Sequence, residues 1–156
     1  MDNLGKKFEE YFKRNWMKCF PGGMVFRLND QLSGYKSVSQ NPSDFICYEY
    51  PTLFFMEIKT HKGASIPFDA IPQYPRLIKY SGIKGIRSGC VVWLYEKDLI
   101  FYLPASTIKK MMEDGKKSAG LKSIEEGYNI ITIPTNKKRL FLDGDYTVLM
   151  STKEGE

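Results

Sequence analysis

The chain reads as a mixed α/β fold, a β-sheet flanked by helices, and three observations predict it. Segments dense in aromatic and β-branched residues alternate with segments whose apolar residues recur every three to four positions. Aromatic side chains make up 14% of the residues, which favours strands and a well-filled core over a helical bundle. No segment repeats another, and 156 residues with 42% hydrophobic content suit a single domain spanning 1–156. Helix, strands, helix, strands, helix, strands is the order of a mixed sheet covered by helices.

The first element is an amphipathic helix. Leu4, Phe8, Tyr11, Phe12 and Cys19 share one face, while Lys6, Lys7, Glu10, Lys13, Arg14 and Lys18 take the other. At about 100° per residue, Glu9 falls at the margin of the apolar stripe and Glu10 points to water. Pro21-Gly22-Gly23 ends the helix. Met24–Leu28 is a short strand, and the Ser-, Gly-, Asn- and Gln-rich stretch 29–43 is a loop. Asp44–Tyr50 and Leu53–Thr60 are strands joined by a turn at Pro51-Thr52. A helix is expected from about Pro67 to Gly82, with Pro72 and Pro75 disturbing its first half. Cys90–Tyr95 and Leu99–Leu103 form a hairpin around Lys97-Asp98, and Pro104–Asp114 is a helix stopped by Gly115. Residues 115–127 read as a basic connection. Ile130–Ile133 and Arg139–Leu142 read as short strands, and Tyr146–Met150 as a last apolar segment.

Composition narrows the chemistry. Three cysteines without a CxxC pair exclude a zinc ribbon and argue against a disulfide framework. One histidine, His61, leaves little room for histidine-based metal sites or triads. No apolar run reaches the roughly 20 residues of a membrane span, and no signal-peptide pattern opens the chain, so a cytoplasmic protein is expected. The net charge of +5 and a pI near 9.0 are what a phosphate-neutralising nucleic-acid binder needs, though many basic proteins bind none.

One constellation carries chemistry. Period-2 alternation puts Phe55, Glu57 and Lys59 on one face of the second central strand. If the turn spans residues 49–52, paired residue numbers sum to 101 and Asp44 lies directly opposite Glu57. Two carboxylates that close repel unless a cation lies between them, and hard oxygen ligands suit Mg²⁺. The bland alternative is that Asp44 caps a turn and Glu57–Lys59 is an exposed pair. Glu57-Ile58-Lys59 is the only Glu-x-Lys of the chain, and the only Asp-x-Lys, Asp114-Gly115-Lys116, falls at a helix end.

Asn41-Pro42-Ser43-Asp44-Phe45, Phe55-Met56-Glu57-Ile58-Lys59-Thr60 and Ser65-Ile66-Pro67-Phe68 together resemble the RecU family of Holliday-junction resolvases, its phage-type members above all. Gly5-x-x-Phe8-Glu9-Glu10 and the run from Gly89 to Leu103 are similar to that family as well. The resemblance implies a restriction-endonuclease-like PD-(D/E)xK fold, a homodimer, and Mg²⁺-dependent paired nicking of four-way DNA junctions in recombination and repair, with Mn²⁺ as a substitute. It makes Asp44 and Glu57 metal ligands and Lys59 the catalytic lysine. Where the family has a threonine two residues before the aspartate, this chain has Pro42. A family glutamine falls near Pro75, and Gln73 is the nearest candidate for it. The loop before Asp44 reads as shorter than the family's stalk.

Further candidates stand beside ordinary alternatives. Glu9 is either a further metal ligand or a helix-margin charge. Lys62, Arg76, Lys79, Lys84 and Arg87 are candidates for tracking the DNA backbone, as are Lys116, Lys117, Lys122, Lys137, Lys138 and Arg139, against a solvated basic surface. The competing functions are a nuclease for ordinary duplex or single-stranded DNA, and a non-catalytic basic DNA-binding protein of the same fold.

Overall fold

The structure is a computed structural model that describes residues 3–29 and 41–152. Most of the predicted loop 29–43, including any counterpart of the family's stalk, lies outside the described residues.

Helix α1 (Leu4–Cys19) buries Phe8, Phe12 and Trp16 and leaves Glu10 exposed, as its periodicity requires. Each such aromatic, fully withdrawn from water, contributes roughly 1.5–3 kcal/mol. Strands β1 (Met24–Arg27), β2 (Phe45–Glu49) and β3 (Thr52–His61) follow as an antiparallel meander, turning at the Tyr50–Pro51 peptide, which is cis. Phe45 pairs with Met56 and Cys47 with Phe54, the register expected from the turn length.

Between residues 65 and 80 the structure departs from the expected single helix. Strand β4 (Ser65–Pro67) and a 3₁₀ turn (Phe68–Ala70) come first, and helix α2 runs only over Tyr74–Tyr80, with Pro75 in its first turn. Proline lacks the N–H that a longer helix would need at position 72. Strand β5 (Ile86–Leu94) pairs parallel to β3 and antiparallel to β6 (Leu99–Pro104), and helix α3 covers Ala105–Glu113.

The basic connection is also structured. Strand β7 (Ser118–Gly120) pairs with β4, and helix α4 follows at Leu121–Glu125. A Cβ on Gly120 would stand 2.1 Å from the Ala64 carbonyl oxygen, so only glycine lets these two strands approach. Strand β8 (Ile131–Thr132) closes the six-stranded sheet, ordered β1-β2-β3-β5-β6-β8. The predicted strand 139–142 is instead a hairpin, β9 (Thr135–Lys138) with β10 (Phe141–Gly144), followed by a 3₁₀ turn over Tyr146–Met150.

The sheet has two faces. One is packed by α1, with Phe45, Phe54, Met56, Ile58, Val91 and Trp93 beneath it. The other carries Phe55, Cys90, Val92 and Leu94 and is covered by α2, α3 and the β4–β7 ribbon. No helix among the described residues is long and apolar enough to cross a membrane.

Candidate metal and nuclease centre

Glu57 lies in the middle of β3, on the face covered by α2. Its carboxyl is fully buried, with Cys90 of β5 as its strand neighbour on one side. On the other side β2 begins one residue past Asp44. The Asp44 main-chain N–H donates to Glu57 Oε1 at 2.8 Å, bringing the two acids together as the register predicted. Glu57 Oε2 is buried and has no hydrogen-bond partner.

Burial pushes the Glu57 carboxyl up to about 9, and hydrogen bonding and charge from Asp44 add to the rise. Lys59, two residues on, and the Asp44 N–H oppose it. A carboxyl so placed holds a proton at neutral pH unless a cation replaces it. A buried, unpartnered carboxylate oxygen beside a second carboxylate is a donor set that fits a hard divalent cation. Lys59 is only half-buried, at the end of the strand where β2 no longer flanks it. The exposed-pair alternative for Glu57 therefore fails on burial.

The other candidates are placed variously. Glu9 rides on α1, against the opposite face of the sheet, and its Oε2 accepts from Arg27 Nε at 3.0 Å. Among the described residues, no three His, Cys, Asp or Glu side chains are gathered to hold a metal ion. Gln73 stands at the N-terminus of α2, on the Glu57 side of the sheet, and its Oε1 is buried without a partner. Arg76 is half-buried, and its Nη1 donates to the Asn41 carbonyl at 2.9 Å, tying α2 to the segment that leads into Asp44. Lys62 is exposed just beyond β3, and Lys79 is exposed beside the Tyr80 ring.

Arg87 corrects the expectation of a backbone-tracking cation. Its guanidinium lies over the rings of Phe54 and Tyr102, at 5.3 and 5.5 Å, and donates to the Leu149 carbonyl. That places it inside the α1 face as a tie to the C-terminal turn. Sequence reasoning missed Cys90, whose buried thiol is pushed well above its usual range by burial and then by Glu57. Nothing but its place in an apolar strand marks it. Ser43 was missed too; it is buried, and its hydroxyl donates to the Phe45 carbonyl at 2.6 Å, shaping the entry to β2.

No protein-family model matches the sequence, and no curated protein is significantly similar to it. Among solved structures, the chain is similar to a Holliday junction resolvase, Hjc, from the archaeal hyperthermophile Archaeoglobus fulgidus. The TM-score is 0.51 at 18% sequence identity, over 66% of this chain and 78% of that one. At that identity the likeness speaks for architecture, and the architecture agrees: a central mixed sheet flanked by helices, the restriction-endonuclease-like fold.

Proposed function

We propose that this protein is a Mg²⁺-dependent DNA endonuclease that nicks four-way junctions, with Asp44, Glu57 and Lys59 as its reacting centre. The observation that carries the reading is the buried Glu57 carboxyl, held against Asp44 with one oxygen unpartnered and Lys59 two residues away. Asp44 and Glu57 would hold the cation, with Gln73 as a further oxygen donor. Mn²⁺ would substitute for Mg²⁺. When bound, such a cation would supply charge for a pentacoordinate phosphate and lower the pKa of a coordinated water.

The protein's own groups do the rest. Lys59 places positive charge where the phosphate gains negative charge in the transition state. The Asp44 N–H fixes one Glu57 oxygen and so aims the other. Hydrolysis adds water across one P–O ester bond and needs no covalent nucleophile. Paired nicks call for two such centres, carried by two copies of the chain, and the substrate would be DNA. Junction preference takes support from the likeness to Hjc, itself a Holliday junction resolvase.

The test is digestion of a synthetic four-way junction beside a linear duplex of the same sequence, with Mg²⁺, by the parental protein and by Glu57→Ala and Lys59→Ala. We expect junction nicking by the parent and none by Glu57→Ala. Lys59→Ala should lose about 10²–10³ in single-turnover rate while binding the junction normally in Ca²⁺. Cleavage of duplex alone would move the reading to an ordinary duplex nuclease. Cleavage of neither substrate would leave a non-catalytic DNA-binding protein of this fold.

A further inference from the structure

On the same side of the sheet as Glu57, the β4–β7 ribbon and helix α4 enclose a cavity of about 270 Å³. Lys116, Lys117 and Lys122 line it, and Glu126 is its only carboxylate. Glu126 is taken by Lys116, whose Nζ lies 3.0 Å from Oε2. Lys117 and Lys122 are exposed and make no ion pair among the described residues. Two positive charges are left uncompensated at one opening. The half-buried hydroxyls of Ser65 and Ser118 also line the cavity and make no hydrogen bond within the described residues.

We propose that Lys117 and Lys122, with the Ser65 and Ser118 hydroxyls, form a subsite for a DNA backbone phosphate other than the one cut. The inference rests on the nuclease reading above and extends it to how the substrate is held. A phosphodiester accepts hydrogen bonds and donates none, and the groups presented here are donors carrying net positive charge. The place suits a contact on the same strand. Ser65 follows Lys59 by six residues, so the chain between them spans at most about 20 Å. That is about six base steps at 3.4 Å per step. The ribbon is also well fixed, since the close approach of Gly120 to Ala64 holds β7 on β4. Sequence alone offers these lysines as part of a dispersed basic stretch; the folding of that stretch into β7 and α4 brings them together with Ser65.

The test uses the full chain and measures junction binding in Ca²⁺ over a series of salt concentrations. Lys117→Ala/Lys122→Ala is compared with the parent and with Lys6→Ala/Lys7→Ala, two exposed lysines on α1 at the opposite face. Each lost phosphate contact lowers the slope of log affinity against log salt by about 0.9. We expect the ribbon variant to lose nearly two units of slope and the α1 variant to keep the parental slope. An unchanged slope in the ribbon variant overturns the subsite. Equal losses in the two variants also overturn it, because they show a dispersed basic surface only. If the parent cleaves DNA and the slope does not move, the subsite alone fails; if the parent neither binds nor cleaves DNA, the nuclease reading fails with it.

Discussion

Glu57 joins three physical facts: complete burial, a neighbouring acid, and one carboxylate oxygen without a partner. In the unfolded chain its carboxyl titrates near 4.5; in the folded, metal-free protein it titrates near 9. Between those values the folded state binds more protons than the unfolded one. Stability is therefore fully present at low pH and is lost as pH rises toward 9. In EDTA, the parental Tm should fall across this range by several degrees more than that of Glu57→Gln, since 1 kcal/mol corresponds to roughly 2–8 °C in a domain of this size. Mg²⁺ should restore the parental Tm at high pH and leave the variant unmoved. Parallel pH profiles for the two proteins, measured by thermal unfolding, would count against a buried acid that needs a proton or a cation.

At the scale of elements, the ribbon of β4 and β7 is the least forgiving join. Gly120→Ala would drive a methyl group against the Ala64 carbonyl, where backbone rather than a flexible side chain must yield. Overpacking of this kind costs about 1–3 kcal/mol, to be read as a lower urea midpoint with an unchanged slope. The ribbon was also invisible in the sequence. Each of its strands has three residues, and they pair across more than fifty positions of chain, so neither periodicity nor a turn signal announces them. By contrast α1, the β2–β3 hairpin and the β5–β6 hairpin were legible, because local period and turn length determine them. The Asp44–Glu57 opposition followed from that same turn. Glu9 and Arg87 were not legible. Whether a margin carboxylate meets a metal or Arg27, and whether a guanidinium meets phosphate or aromatic rings, depends on which face of the sheet each element covers.

For the whole molecule, the sheet order puts β1 at an edge, with Met24 and Phe26 exposed along it. An exposed apolar edge is a template for unwanted strand pairing. Phe26→Lys should raise the temperature at which heated samples scatter light, while changing unfolding free energy by no more than about 0.5 kcal/mol. A lower onset of scattering would show that Phe26 is shielded in solution. The parallel pairing of β3 with β5 has a consequence in time. The β2–β3 hairpin can bring Asp44 and Glu57 together from neighbouring residues, but there both side chains are still open to water. Only when residues 62–85 have crossed over and β5 has docked is Glu57 sealed from water. Crossovers of that kind are slow steps, because a long loop must close before any contact rewards it. On the proposed reading, a nascent chain thus carries its two acids early but gains a site for a cation only late, once β5 has docked.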